Sequence, residues 1–174
     1  MFRLKKRTVN TVRPFVEPLP IPQRLAPSQG ILSQPLEQRM YSFGQPNLVV
    51  LEEKEALHQF HPDIPPTLMW TYNGTFPGPT IVHRLGQSTC IRRINSLDPN
   101  YSGFGIVKTV LHHHGGWQAP VDDGWPLDYI LPGQSRDYLI PNILPVANDR
   151  SYWGTTLWYH DHVADHTAGN VYHG

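Results

Sequence analysis

An all-β fold, an antiparallel sandwich or barrel, is the class this sequence predicts, and three observations predict it. Short runs of β-branched and aromatic residues recur along the chain: PPTLMWTYNG, FPGPTIVHRLGQ, STCIRRIN, IVKTVLHHH, SRDYLIPN and TTLWYHDH. Turn-forming pairs separate them, among them Asn73-Gly74, Gly78-Pro79, Leu85-Gly86, Asp123-Gly124 and Pro132-Gly133. No stretch carries the sustained 3.6-residue apolar period of a long amphipathic helix. Six to eight strands at this spacing read as a sandwich or barrel.

Taken in order, residues 1–44 open with a basic stretch from Arg3 to Arg7 and continue as PFVEPLPIPQRLAPSQG. Proline without an apolar period favours extended backbone and excludes a helix or central strand, so this segment is read as an arm laid on a surface, with simple disorder the alternative because such sequence does not itself say whether it docks. Residues 45–174 form the domain proper. NLVVLEEKEAL fits strand or helix by period, and strand is preferred because Val49, Val50 and Leu51 lead into a chain dense in turns. With 39% hydrophobic residues the chain can bury one core. Fourteen basic side chains balance fourteen acidic ones, which gives no electrostatic basis for a nucleic-acid or anionic-membrane partner. Met1 to Asn10 is followed by no apolar run, so no secretory signal or transmembrane helix is expected in the chain as it stands. The single cysteine, Cys90, excludes an internal disulfide and reads as a small core residue.

Histidine carries the chemistry. Of ten histidines, seven follow Val110. TVLHHHGG and TTLWYHDH each end a run of β-formers with two histidines at i and i+2, which on a strand share a face. His112 with His114, and His160 with His162, are therefore two same-face pairs. Within a pair the residues stand roughly 6.6 Å apart along the strand, a spacing suited to neighbouring ions better than to one ion. Four imidazoles gathered without a metal would leave hydrogen-bonding capacity unused. A metal cluster is the reading that follows, with sites that lose metal in acid because imidazole binds only when neutral.

Other histidine sites fit less well. A cupin needs a glutamate shortly after its His-x-His, where this chain has Gln118 and Ala119. The metallo-β-lactamase pattern His-x-His-x-Asp-His is missed by one residue in the run from His160 to His166. One cysteine excludes a zinc finger.

TVLHHHGG, followed by DDGWP, LPGQSRDYLIPN, TTLWYHDH and Asn170-Val171-Tyr172, resembles the first cupredoxin domain of the multicopper oxidases. Upstream, PFVEPLPIPQRLAP, LHQFHPDIPPTLMWTYNG and FPGPTI resemble the branch with the bacterial spore-coat laccase, bilirubin oxidase and phenoxazinone synthase. The resemblance runs from about Pro14 to Gly174. It implies an eight-stranded, cupredoxin-like Greek-key β-sandwich and a copper cofactor. By the same resemblance His112 is a type 2 copper ligand and His114, His160 and His162 are type 3 ligands, half of the eight-histidine shell of a trinuclear centre that reduces dioxygen to water. Asp123, nine residues after His114, matches a carboxylate that assists protonation; a turn residue before Gly124 is the other reading of it. The partners implied are the remaining cupredoxin domains or a complementary chain, dioxygen, and a small phenolic or aminophenolic donor. The compartment stays undecided, with cytoplasmic synthesis followed by spore-coat or cell-surface association as one option.

The chain departs from the family pattern in places. His113 stands where an apolar residue is usual, and alternation turns it away from His112 and His114, which makes it an outward or supporting group. His166 and Ala168 replace residues usual in relatives. His58, His61 and His83 fall at positions that resemble non-ligand ones. Asn170 to Gly174 resembles the start of the domain's last strand, and the type 1 site has no counterpart here, so the 174 residues alone are expected to be inactive and to need a partner. A non-catalytic copper-binding or scaffold fragment is the alternative, set against the presence of all four ligand histidines.

Overall fold

A computed structural model describes residues 12–32, 46–144, 151 and 156–174. Among them are six strands: β1 (Asn47–His58), β2 (Thr67–Tyr72), β3 (Thr89–Asn95), β4 (Leu111–His114), β5 (Ser135–Ile140) and β6 (Trp158–Asp161). A single seven-residue helix, α1 (Thr167–His173), follows β6. Four strands form one sheet in the order β2-β1-β3-β5, and β4 with β6 form the other. β1 pairs parallel with β3, and every other pairing is antiparallel.

Alternation explains where the core sits. Val49 and Leu51 of β1, Ile91 of β3, and Tyr138 and Ile140 of β5 meet Leu111 of β4 in one buried cluster, with Tyr72 and Tyr159 packed beside it. The two sheets thus form a β-sandwich. The intervening residues Leu48, Cys90 and Leu139 point to the opposite face of the four-stranded sheet. There they meet Leu32, so the sheet is apolar on both faces where β1 and β3 run parallel.

The proline-rich segment is tied to the sandwich by its backbone. Leu25 N–H donates to Thr80 O at 2.8 Å, Thr80 N–H to Gln23 O at 2.7 Å, and Ser28 N–H to Leu48 O at 2.6 Å. Arg13 pairs with Asp63 through two side-chain nitrogens, and Arg92 donates to Ile31 O. Residues 1–11 and 33–44 of the arm lie outside the described residues.

The interior also holds a polar group. Arg93 is fully buried, donates Nη2–H to Thr109 O at 2.8 Å, and has its Nε 3.6 Å from Glu53 Oε1. Thr109 Oγ1–H donates to the other Glu53 oxygen. Burial pushes the Glu53 carboxyl up to about 7, against the pull of Arg93 and Thr109.

Two expectations are corrected. FPGPTIVHRLGQ forms isolated bridges at Thr80 and between Arg84 and Gln87 rather than a strand, since Pro77 and Pro79 supply no N–H for a ladder. The described residues hold six strands. Asn170 to His173 is helical, not the beginning of a last strand. The reason is Asn170: its Oδ1 accepts Ile106 N–H at 3.0 Å while Nδ2 reaches Lys108 O and Asp161 Oδ2, three contacts that hold the turn against the sheet.

Candidate metal centre

The antiparallel register of β4 and β6 sets His112 opposite His160, His114 opposite Trp158, His113 opposite Tyr159 and Leu111 opposite Asp161. Directly opposed residues share a face. His112, His114, Trp158 and His160 therefore line one side of the pair, and Leu111, His113, Tyr159 and Asp161 the other. His162 N–H donates to Val110 O at 3.0 Å and carries the pairing one step further, which brings the fourth histidine to the first side.

The four predicted ligand residues meet there. Ring centroids lie 5.4 Å apart for His112 and His114, 5.3 Å for His112 and His160, and 4.9 Å for His112 and His162. One nitrogen from each of His112, His114 and His160 lies within 4.8 Å of the other two. His114 Nδ1 is 3.4 Å from His160 Nε2. Two nitrogens bound at roughly 2.0–2.1 Å to one ion span that distance at an angle of about 110°. The pair suited to share an ion is thus the one across the strands, as the within-strand spacing suggested from the other direction.

The other ring nitrogens have fixed tasks. His112 Nδ1 is 2.5 Å from Asp123 O and His160 Nδ1 is 2.6 Å from Asp161 O, so these nitrogens carry the protons and Nε2 of each ring is left with its lone pair. His162 Nδ1 is buried and has no protein partner among the described residues. Burial lowers the His160 pKa, against the Asp161 carbonyl and with the neighbouring imidazoles, which favours the neutral form that binds metal. An orphaned nitrogen, two lone pairs directed by carbonyls and an all-imidazole donor set fit copper, zinc or iron.

Asp123 reaches the site because Gly124 does. Gly124 has φ +80° and approaches so closely that a Cβ would stand 2.2 Å from Leu111 O. That contact sets the Asp123 carbonyl on His112. The Asp123 carboxylate is half exposed, 3.5 Å from His112 Nδ1, and accepts Gln118 Nε2–H at 2.7 Å. It lies on an open groove of about 540 Å³ whose walls include Trp117, Trp125, His112 and His162.

His113 points away from the metal-facing side, as alternation requires, but it is buried rather than outward. It stacks on His83 at 5.4 Å, with rings 23° from parallel. Burial lowers both rings, His83 to about 4. His58 instead packs edge-on against Phe60 and Phe76, and His61 meets Arg13 O.

Three residues that sequence reasoning gave no role support the site. Asp161 faces the interior, where Oδ1 accepts Val110 N–H at 2.8 Å and Oδ2 accepts Val163 N–H and Asn170 Nδ2–H. Its signal was an acid at a core-facing position between two ligand-facing ones. Gln118 spans His113 O and the Asp123 carboxylate, and Asn170 holds Asp161.

Residues 57–174 match a family model described as multicopper oxidase. The chain is 35% identical to a laccase of Bacillus subtilis over 94% of its own length and 32% of that protein's. It is 32% identical to a bilirubin oxidase of Albifimbria verrucaria over 92% of the chain and 24% of that enzyme. Among solved structures, a laccase of Pediococcus acidilactici superposes with TM-score 0.66 at 25% identity, over 91% of the chain and 28% of that structure. A multicopper oxidase of Campylobacter jejuni gives 0.65 at 26%, over 90% and 27%. The chain thus spans about a third or less of the proteins it matches.

Proposed function

The chain belongs to the multicopper oxidase family, and from that premise we propose that it is the part of a laccase-like oxidase that supplies His112, His114, His160 and His162 to a trinuclear copper centre. In this reading His112 serves type 2 copper and the other three serve type 3 copper. The type 1 site and four further histidines come from cupredoxin domains outside these residues. Bound copper would supply one-electron redox chemistry, taking electrons singly from a phenolic or aminophenolic donor and passing four to dioxygen, which with four protons gives two waters. The observation that carries the proposal is the convergence of four imidazoles on one face of β4 and β6, with nitrogens of three within 4.8 Å.

The chain's own residues do three things in this scheme. The Asp123 and Asp161 carbonyls hold protons on Nδ1 of His112 and His160, and so direct Nε2 of each toward an ion. Asp161 and Asn170 pin the segment after β6 against residues 106–110 just before β4, which holds the two histidine pairs together. The Asp123 carboxylate, held by Gln118 on the edge of the open groove, is placed to pass protons from solvent toward the His112 side.

Metal analysis of the assembled protein that contains this chain tests the reading, together with Asp123→Asn in that protein. Copper at the four histidines is expected, and zinc without copper would overturn it. The variant is expected to lower turnover at least tenfold while copper content and the type 1 colour on substrate reduction stay unchanged. Lost copper or lost fold would give Asp123 a structural task instead. A protein that binds copper fully yet oxidises no donor would favour a copper-binding or scaffold module.

A further inference from the structure

The residue opposite His114 is Trp158, and its side chain lies on the same face as the histidines. The indole stacks on His114 at 4.9 Å with 23° between planes, and on His160 at 4.3 Å with 27°. The two imidazoles are themselves 5.7 Å apart. In a triangle with these sides the angle at the indole is acute, because the squares of the two shorter sides sum to more than the square of the longest. The three rings therefore form one compact cluster in which the indole is stacked on both imidazoles. These are the two rings whose Nδ1 and Nε2 approach to 3.4 Å.

His160 is further held by its Nδ1 contact to Asp161 O, but among the described residues the hydrogen bonds of His114 include no such anchor to a carbonyl or carboxylate. Among the described residues its ring contacts are the Trp158 indole, the His160 ring and, edge-on, His112. A planar aromatic surface packed against both imidazoles opposes their tilting away from it. We propose that Trp158 is a positioning residue of the metal centre, holding His114 and His160 in the orientation in which one nitrogen of each converges on a shared ion. The inference rests on the metal-centre reading above and adds to it a residue that touches no ion.

Isothermal titration of the full chain with zinc(II), and quenching of its tryptophan fluorescence by copper(II), test this. Trp158→Leu and Trp158→Met remove the planar ring, and zinc affinity should fall by about tenfold or more, the loss seen when partners that orient metal ligands are removed. Trp158→Phe keeps a planar ring and should stay within about threefold of the parent. In Trp158→Phe the copper-dependent quench should shrink, because the indole stacked on two of the ligand rings is gone. Trp158 is 48% exposed at the start of a strand, so the thermal midpoints of the metal-free variants should stay near the parent's. Unchanged affinity in both non-planar variants, while His114→Ala and His160→Ala abolish binding, would overturn the proposal and leave the metal centre standing. Unchanged binding in the two histidine variants as well would overturn both. If neither non-planar variant folds, an undiminished quench in Trp158→Phe overturns the role assigned to Trp158.

Discussion

His114 Nδ1 lies 3.4 Å from His160 Nε2, and the contact crosses from one strand to its antiparallel neighbour. If the two rings serve one ion, removing either should have the consequence of removing both. Zinc or copper titration of His114→Ala, His160→Ala and the double variant should show a large loss in each single variant, by about a hundredfold or more, and little further loss in the double. Additive losses would place the two imidazoles on separate ions.

Asp161→Ala leaves the buried donors Val110 N–H, Val163 N–H and Asn170 Nδ2–H without their charged acceptor. Hydrogen bonds to charged groups contribute about 1.5–3 kcal/mol each, and partial rearrangement recovers some of that, so unfolding free energy should fall by about 3 kcal/mol. Urea denaturation measures it. Burial raises the Asp161 pKa against those same donors, and a loss below about 1 kcal/mol would mean that the donors find other acceptors.

Arg93 and Glu53 are buried together, so breaking the pair differs from replacing it. Arg93→Met should destabilise by about 3–5 kcal/mol, since it strands Glu53 in the core. The double variant Arg93→Met, Glu53→Met should recover most of that loss, and a double-mutant cycle in urea reads the difference.

Acid should weaken the fold through His83. Burial, then His113, hold His83 at about 4, below the value near 6.5 of an unfolded histidine. Above pH 6.5 both states are neutral and the contribution is fully present. As pH falls from 6.5 the unfolded chain takes up the proton first, and stability is lost until the folded ring protonates near 4. After discounting for partial exposure, the loss is about 2 kcal/mol between pH 7 and pH 4. His83→Asn should flatten that slope in denaturation curves taken at the two pH values.

The repeated His-x-His on β-formers made the ligand face legible before any coordinates, because strand alternation is a local rule that needs only the residues on either side. It also put His113 on the opposite face. What alternation could not say is whether that face is solvent or core, and His83, thirty residues upstream, decides it by stacking. The β-sandwich was legible for the same local reason, while α1 was not: seven residues with a glycine and a tyrosine have weak helix preference, and Asn170 holds them through contacts to residues 106, 108 and 161. The stacking of Trp158 on two imidazoles depends on the register of β4 and β6, which only the paired strands reveal.

The parallel pairing of β1 with β3 bears on how the chain reaches this state. β1 and β2 are neighbours in sequence, joined by the short segment 59–66, and can pair as soon as that loop closes. β3 meets β1 with Asn47 opposite Thr89, so all of β2 and the bridged segment after it must be looped out first. Loop-closure entropy therefore orders the events, with the β1 and β2 ribbon early and the seam between β1 and β3 late. Substitutions on the ribbon, such as Leu57→Ala, should slow refolding, while Ile91→Val at the seam should mainly speed unfolding. The metal-facing strands inherit that delay: Leu111 packs on Val49 and Ile91, so its surface is complete only after the seam has closed.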